Sequence, residues 1–222
     1  MSFEITVESG KSRLLKTAGK VCDRDIVVTA TGGSDDLVKQ LIDKSITSFD
    51  GSEIETIGTY AFAGCNKLTD LDFPNCTSVE MYAFSSATAL VSVNLPKVQL
   101  INSNTFQLCS SLKTINIPEA TTLYSNAIRD ATALEKIDLP KVGRILSQVF
   151  LNCTMLTTVI LRSNTPCTLG STNSFNGTPF ANGTGYIYVP ASLIDSYKTA
   201  TNWSTFANQF RAIEDYPEIT GG

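Results

Sequence analysis

Two files of polar residues recur through the middle of the chain at a constant interval of 22 residues. One file is Asp72, Asn94, Asn116 and Asp138. The other, two positions earlier, is Asp70, Ser92, Thr114 and Lys136. Carboxylates, carboxamides, hydroxyls and an ammonium in rows present donors and acceptors at regular spacing. That chemistry suits recognition of a partner by hydrogen bonding. It also suits a weak cation site along the Asp and Asn file. An ordinary solvated sheet face with side-chain ladders accounts for the same pattern, and these readings stay open on the sequence alone.

The rest of the inventory points away from catalysis. The chain of 222 residues has no histidine, which removes Ser/His/Asp and Cys/His arrangements and the usual metal ligands. None of the six cysteines has C-x-x-C spacing, so no zinc site is expected. Gly183-Thr-Gly185 lacks the flanking strand and third glycine of a nucleotide loop. The expectation is a non-enzymatic protein with no catalytic residues, no cofactor and no metal.

The interval that orders the polar files also orders the apolar ones. Phe62, Phe84, Phe106, Ile128 and Phe150 share it, as do Leu68, Leu90, Leu112, Leu134 and Leu156. A period in this range is the mark of a solenoid. Within a unit, Leu71-x-Phe73 alternates as a short strand with both side chains inward. Phe62-x-x-Cys65-x-x-Leu68 has the spacing of a helical or 3₁₀ turn on the opposite side. Pro74, Pro96, Pro118 and Pro140 close the strands, because proline has no N–H to continue a ladder. The expected fold is a leucine-rich-repeat solenoid: a parallel β-sheet on one side, short helical or 3₁₀ turns on the other, and helical caps.

The columns reinterpret the cysteines. Cys65, Cys109 and Cys153 stand in one column, with Ala87 and Ala131 between them. Alternate rungs lie ~9.5 Å apart, beyond the roughly 7 Å that a disulfide spans. They read as small core residues, like Cys76 in its own column. Cys22 and Cys167 lie outside the regular array, and their pairing is open. A polar column of Asn66, Thr88, Ser110, Thr132 and Thr154 is expected to bond free backbone N–H groups of the turn. Asn75, Lys97, Glu119 and Lys141 suggest weak cross-rung pairs. Four Asn-x-Ser/Thr sequences begin at Asn75, Asn152, Asn176 and Asn182; glycosylation there depends on a secretory setting.

The array extends beyond the clear units. Ile46, Phe49, Ile54 and Ile57 read as a degenerate first coil. Tyr186-Ile187-Tyr188-Val189-Pro190 repeats the strand and its proline six residues late, which places a six-residue insertion in the polar stretch 170–185. The expected organisation is a small N-terminal β segment and hinge over 1–33, a capping helix over 34–45, the solenoid over 46–190, and a helical cap and tail over 191–222. In the first segment Phe3, Ile5 and Val7 alternate, as do Ile26, Val28 and Ala30. Ser34 is the expected N-cap of the first helix. Ser192-x-x-Asp195 is a candidate capping box for the last, with Pro190 as an earlier start. Leu193, Tyr197 and Ala200 mark one apolar face. Trp203, Phe206 and Phe210 mark a second stripe after an interruption at Asn202.

Composition limits the partners. A net charge of −4, with 17% charged residues, offers no basic footprint for nucleic acid. No apolar run reaches 18 residues, so no membrane span is expected. The first residues lack the basic and apolar regions of a signal peptide. Either the protein is not exported by that route, or a leader precedes the sequence.

The string Ile57-Gly-Thr-Tyr-Ala-Phe-Ala-Gly-Cys-Asn-Lys-Leu68, followed by Leu71-Asp-Phe-Pro74, resembles the BspA-like leucine-rich repeat family. Its repeats have the form I-x-x-x-A-F-x-x-C-x-x-L-x-x-I-x-L-P. The match runs from about Ile46 to Pro190. It departs at Ile128, which replaces phenylalanine, and at Ala87 and Ala131, which replace cysteine. The resemblance implies bacterial surface proteins used in adhesion and host-protein binding, and it brings no catalytic residues. The segment 5–30 also resembles N-terminal modules of repeat proteins encoded near phage structural genes in Gram-positive bacteria. Val189 to Lys198, with Asn202-Trp203, resembles the last repeat of the same group. The leading expectation is therefore recognition of a protein or glycan ligand by the solenoid surface, at a cell surface or outside the cell. The alternative is a structural or host-recognition component of a phage tail or related assembly, docked through its N-terminal segment.

Overall fold

The computed structural model describes residues 51–52 and 54–220. The expected N-terminal strands, the capping helix, Ile46, Phe49 and Cys22 lie outside these residues.

Each coil contributes a longer strand, a corner, a two-residue strand and a run of turns. The longer strands are β2 (Asp70–Asp72), β4 (Ser92–Asn94), β6 (Thr114–Asn116), β8 (Lys136–Leu139), β10 (Thr158–Leu161) and β12 (Tyr186–Val189). The short ones are β1 (Thr56–Ile57), β3 (Ser78–Val79), β5 (Leu100–Ile101), β7 (Thr122–Leu123), β9 (Arg144–Ile145) and β11 (Thr168–Leu169). The short strands form one six-stranded sheet in chain order. The longer strands form a three-stranded sheet, β2-β4-β6, and a four-stranded sheet, β8-β10-β12-β13, where β13 is Phe210–Ala212. All pairs are parallel, and Leu71, Val93 and Ile115 stand in register as the period requires. The short return strand of each coil thus builds a second sheet that the period-two reading did not foresee.

The third run has no side-chain logic that period alone would reveal. Two positions in each run, four residues apart, take a left-handed backbone. Tyr60, Tyr82, Asn104, Asn126 and Gln148 all have φ near +60°, and so do Ser86, Leu108, Asp130 and Asn152, in the column that Gly64 begins. Only glycine adopts this region freely, and other residues are held there by their surroundings at about 1–3 kcal/mol each. The hydrogen bonds supply the restraint. The N–H groups of Tyr60, Phe62 and Gly64 donate to Met81, Ala83 and Ser85 in the next coil, while those of Ala61, Ala63 and Cys65 donate back within their own. Every second N–H therefore stacks one coil on the next. The same run turns Ala61, Ala83, Thr105, Ala127 and Val149 inward, a buried column absent from the sequence reading. Thr105 satisfies its hydroxyl on the Asn102 carbonyl at 2.7 Å.

One continuous apolar core runs from Ile54 to Phe210. The rings of Phe62, Phe84 and Phe106 stack with centroids 5.3 and 5.1 Å apart. Ile128 interrupts the stack, and Phe150 and Phe175 resume it at 5.5 Å. Cys65, Cys76, Cys109, Cys153 and Cys167 are all buried. Burial among apolar groups pushes Cys76 up to about 11 and Cys109, Cys153 and Cys167 up to about 12. The Cys109 and Cys153 thiols donate to the Phe84 and Ile128 carbonyls of the preceding coil, at 3.1 and 3.2 Å.

The six-residue insertion is real but divided. Thr158 pairs with Tyr186, an offset of 28 where the period is 22. Arg144 pairs with Thr168 at an offset of 24, so two of the extra residues precede the stretch 170–185, in the corner 162–167. That corner carries Arg162 where the earlier coils have proline, and its only proline, Pro166, comes four residues later. The others support two 3₁₀ helices, Thr172–Phe175 and Pro179–Asn182.

The C-terminal end is closed by aromatics. After Pro190 a 3₁₀ turn, Ala191–Leu193, leads into the α-helix Ile194–Thr199. Neither N-cap residue, Pro190 or Leu193, caps its start with its own side chain, so the Ser192 capping box does not form and Pro190 sets the entry. Asn202, at φ +65°, breaks the helix. Tyr197, Trp203, Phe206 and Phe210 then pack on the core. The second stripe does not stay helical through Phe210. That residue opens β13, which pairs with β12 and extends the outer sheet.

Candidate functional site

The polar files fall where the strand alternation directs them, on the outer face of the longer strands. Strand pairing sets Asp70, Ser92 and Thr114 side by side, and likewise Asp72, Asn94 and Asn116. Neighbouring rungs are joined through their side chains. Asn116 donates from Nδ2 to Asn94 Oδ1 at 2.6 Å, and Asn94 donates from Nδ2 to Asp72 Oδ1 at 2.7 Å. Ser92 Oγ donates to Asp70 Oδ1 at 2.5 Å. Hydroxyls of Ser92 and Thr69 beside Asp70 hold its carboxyl below the usual carboxylate range, outweighing its slight desolvation. The result is a fixed row of amide and carboxylate edges facing outward from β2-β4-β6.

The other two candidates sit differently. Lys136 and Asp138 lie on β8, in the separate four-stranded sheet. Lys136 is exposed. Asp138 is gripped by Arg162, whose Nε and Nη2 reach its carboxylate at 2.9 and 2.7 Å. Arg162 is a site residue that the sequence reading passed over, although it replaces proline in a column that had been proline four times. Ile160 continues the Asp72 file, in a position that strand alternation turns outward. It is fully buried, because Ile213 and Ile219 pack with it.

Several lesser polar positions are settled by local bonds. Lys97 Nζ donates to Asn75 at 2.8 Å, and Lys141 pairs with Glu119 at 2.6 Å; exposed pairs of this kind contribute about 0–1 kcal/mol. Thr132 donates to the Ser110 carbonyl at 3.1 Å. In this column the hydroxyl serves a carbonyl of the preceding coil rather than the turn N–H groups that the sequence suggested. Asn152 donates to Asp130 at 2.8 Å. Among the described residues no group of three or more cysteines or carboxylates could hold a metal ion. No helix among them is long and apolar enough to cross a membrane.

Comparison with curated proteins finds no match. Among solved structures, a leucine rich cell surface protein from Faecalibacterium prausnitzii A2-165 is 32% identical, with a TM-score of 0.47 over 54% of this chain and 32% of that one. A leucine-rich repeat protein from Bacteroides ovatus ATCC 8483 is 20% identical, with a TM-score of 0.48 over 75% of this chain and 47% of that one. The chain thus spans less than half of either protein. The family model for the BspA type leucine rich repeat region, with six copies, matches residues 42–157 and 77–184. With its period, its parallel rungs and its stacked phenylalanine column, the chain belongs to the BspA-type leucine-rich repeat family.

Proposed function

We propose that this chain is a non-enzymatic recognition module that binds a protein or glycan partner across the outer face of its longer strands. The contact residues are Asp70, Asp72, Ser92, Asn94, Thr114 and Asn116, with Lys136 and Asp138 at the far margin. One observation carries the reading: the bonded row Asp72–Asn94–Asn116. Side chains already held in one conformation lose little entropy when a ligand arrives. Polar edges at the ~4.8 Å rung spacing suit an extended ligand with repeated donors and acceptors. Membership in a repeat family supports a binding role, since stacked repeats build extended surfaces.

The assembly alternative rests on docking through the N-terminal segment, which lies outside the described residues, and no observation favours it.

The test is a binding screen of the full chain against matrix proteins and cell-wall glycans. It is repeated with Asp72→Ala, Asn94→Ala, Asn116→Ala and Asp138→Ala combined. Loss of at least tenfold in affinity, with an unchanged circular dichroism spectrum, is the expected result. A partner that binds the combined variant as well as the parent would place the recognition surface elsewhere.

A further inference from the structure

Three positions break the repeat at one end of the outer sheet face. The proline column Pro74, Pro96, Pro118 and Pro140 is followed by Arg162. The outward file Asp72, Asn94, Asn116 and Asp138 continues as Ile160 and then Tyr188. All three changes meet the same object, the segment that follows β13. Ile160 and Tyr188 form a second buried cluster with Ile213 and Ile219, separate from the solenoid core, and Tyr216 packs against it. The Tyr216 ring meets Tyr188 edge-on with centroids 5.1 Å apart. Arg162 donates from Nη2 to the Ile219 carbonyl at 2.5 Å while the same guanidinium holds Asp138. At the other end of the segment, Glu214 Oε2 accepts the Ala191 N–H at 3.0 Å. Proline at 190 supplies no side-chain cap for that turn, and the segment provides the missing acceptor.

We propose that Ile160, Tyr188, Arg162 and the Ala191 N–H form a peptide-docking site, and that its occupant is the chain's own segment 213–219, seated reversibly. Each part of the occupant has its counterpart. The Glu214 carboxylate takes a backbone N–H, Ile213 and Ile219 cover Ile160, Tyr216 meets Tyr188, and a carbonyl meets the Arg162 fork. The attachment is local. The second cluster is small, and the helix Pro217–Thr220 is too short to hold itself. Such segments open at a lower free energy than the fold they lie on. Opening uncovers Ile160 and Tyr188 beside Lys136 and Asp138, so the latch sets how far the outer face is available. The proposal does not depend on what the polar strip binds.

The test uses the full chain carrying Ile219→Asp, which unseats the segment, and a fluorescent synthetic peptide with the sequence of residues 212–222. Anisotropy is expected to show saturable binding to this variant. Binding is expected to be at least tenfold weaker to the unmodified chain, whose site is filled, and to the variant that also carries Arg162→Ala. Equal binding to all three, or none to Ile219→Asp, overturns the proposal. Hydrogen exchange on the unmodified chain provides a second measure. The Tyr216 and Ile219 amides, bonded within the segment, are expected to exchange at least tenfold faster than those of β12, and faster still with Arg162→Ala. Protection equal to that of β12 makes the segment a fixed part of the fold and ends the idea.

Discussion

The Tyr197 hydroxyl accepts the backbone N–H of Cys167 at 2.7 Å, across 30 residues of chain. The carbonyl of the same residue accepts Trp203 Nε1 at 2.6 Å. Cys167, just before β11, is thus held by the cap through both its backbone N–H and its carbonyl. Asn202 Nδ2 adds a bond to the Leu169 carbonyl at 2.7 Å. The last coil has no successor to satisfy its backbone, and these side chains take the place of the next rung. Desolvation around Tyr197 pushes its phenol up, so the hydroxyl stays neutral and available as an acceptor.

Tyr197→Phe should test this closure. The variant keeps the ring and its stacking on Phe210 but leaves a buried N–H without its acceptor. The expected loss is about 1–3 kcal/mol in urea denaturation. A change within 0.3 kcal/mol, roughly the scatter of additive surface sites, would mean that another group satisfies Cys167.

Leu108 gives the opposite prediction. It stands at φ +62° and is 43% exposed, so its side chain gains little from burial while its backbone is strained. Asparagine tolerates that conformation better and already occupies the same column at Asn152. Leu108→Asn should raise stability by up to about 1 kcal/mol, read as a higher urea midpoint with an unchanged slope. A lower midpoint would show that Leu108 packs more than its exposure implies.

The five described cysteines should be silent to thiol reagents at neutral pH. Burial disfavours the thiolate forms of Cys76, Cys109, Cys153 and Cys167, the thiolate is the reactive species, and Cys65 is shielded by its own burial. Mass spectrometry after brief alkylation should find Cys65, Cys76, Cys109, Cys153 and Cys167 unmodified until denaturant is added. The linkage follows from the sign. A thiol raised in the folded state favours folding fully below the ordinary thiol value of 9.0, and that advantage is lost as pH rises toward about 12. Alkaline unfolding in that window should move to higher pH in Cys109→Ala.

Asp70 should titrate below an ordinary aspartate because Ser92 donates to its carboxylate. Its contribution is present above the usual carboxylate value of about 3.9 and is lost as pH falls through the lower folded value. Carbon NMR titration of Asp70 should show the depressed midpoint, and Ser92→Ala should move it back up. An unchanged midpoint in the variant would assign the shift to Thr69.

The legibility of the site follows the same division as the fold. Asp72, Asn94 and Asn116 could be placed from the period, because strand alternation leaves an outward residue between two inward ones. Their bonds to one another could be anticipated only as a generic ladder. Asp138 looked equivalent to them in the sequence. It is not, because Arg162 faces it from the next rung. A broken column was the available signal, and it was visible at Arg162 and at Ile160. The left-handed residues Tyr60, Tyr82 and Leu108 carried no signal, since their side chains do not prefer that backbone. The stacked coils impose it.

The repeat, the inward columns and the outward polar files were legible from the residues alone, because period and polarity are local and act the same way in each coil. Tertiary structure decided what depends on neighbours that the period does not connect. Stacking fixed the left-handed positions of the turns, where hydrogen bonds between coils outweigh the preference of single residues. Chain reversal after β13 brought residues 213–219 back onto Ile160 and Tyr188. That contact joins segments more than 50 residues apart, between Arg162 and Ile219, and only the folded chain brings them together.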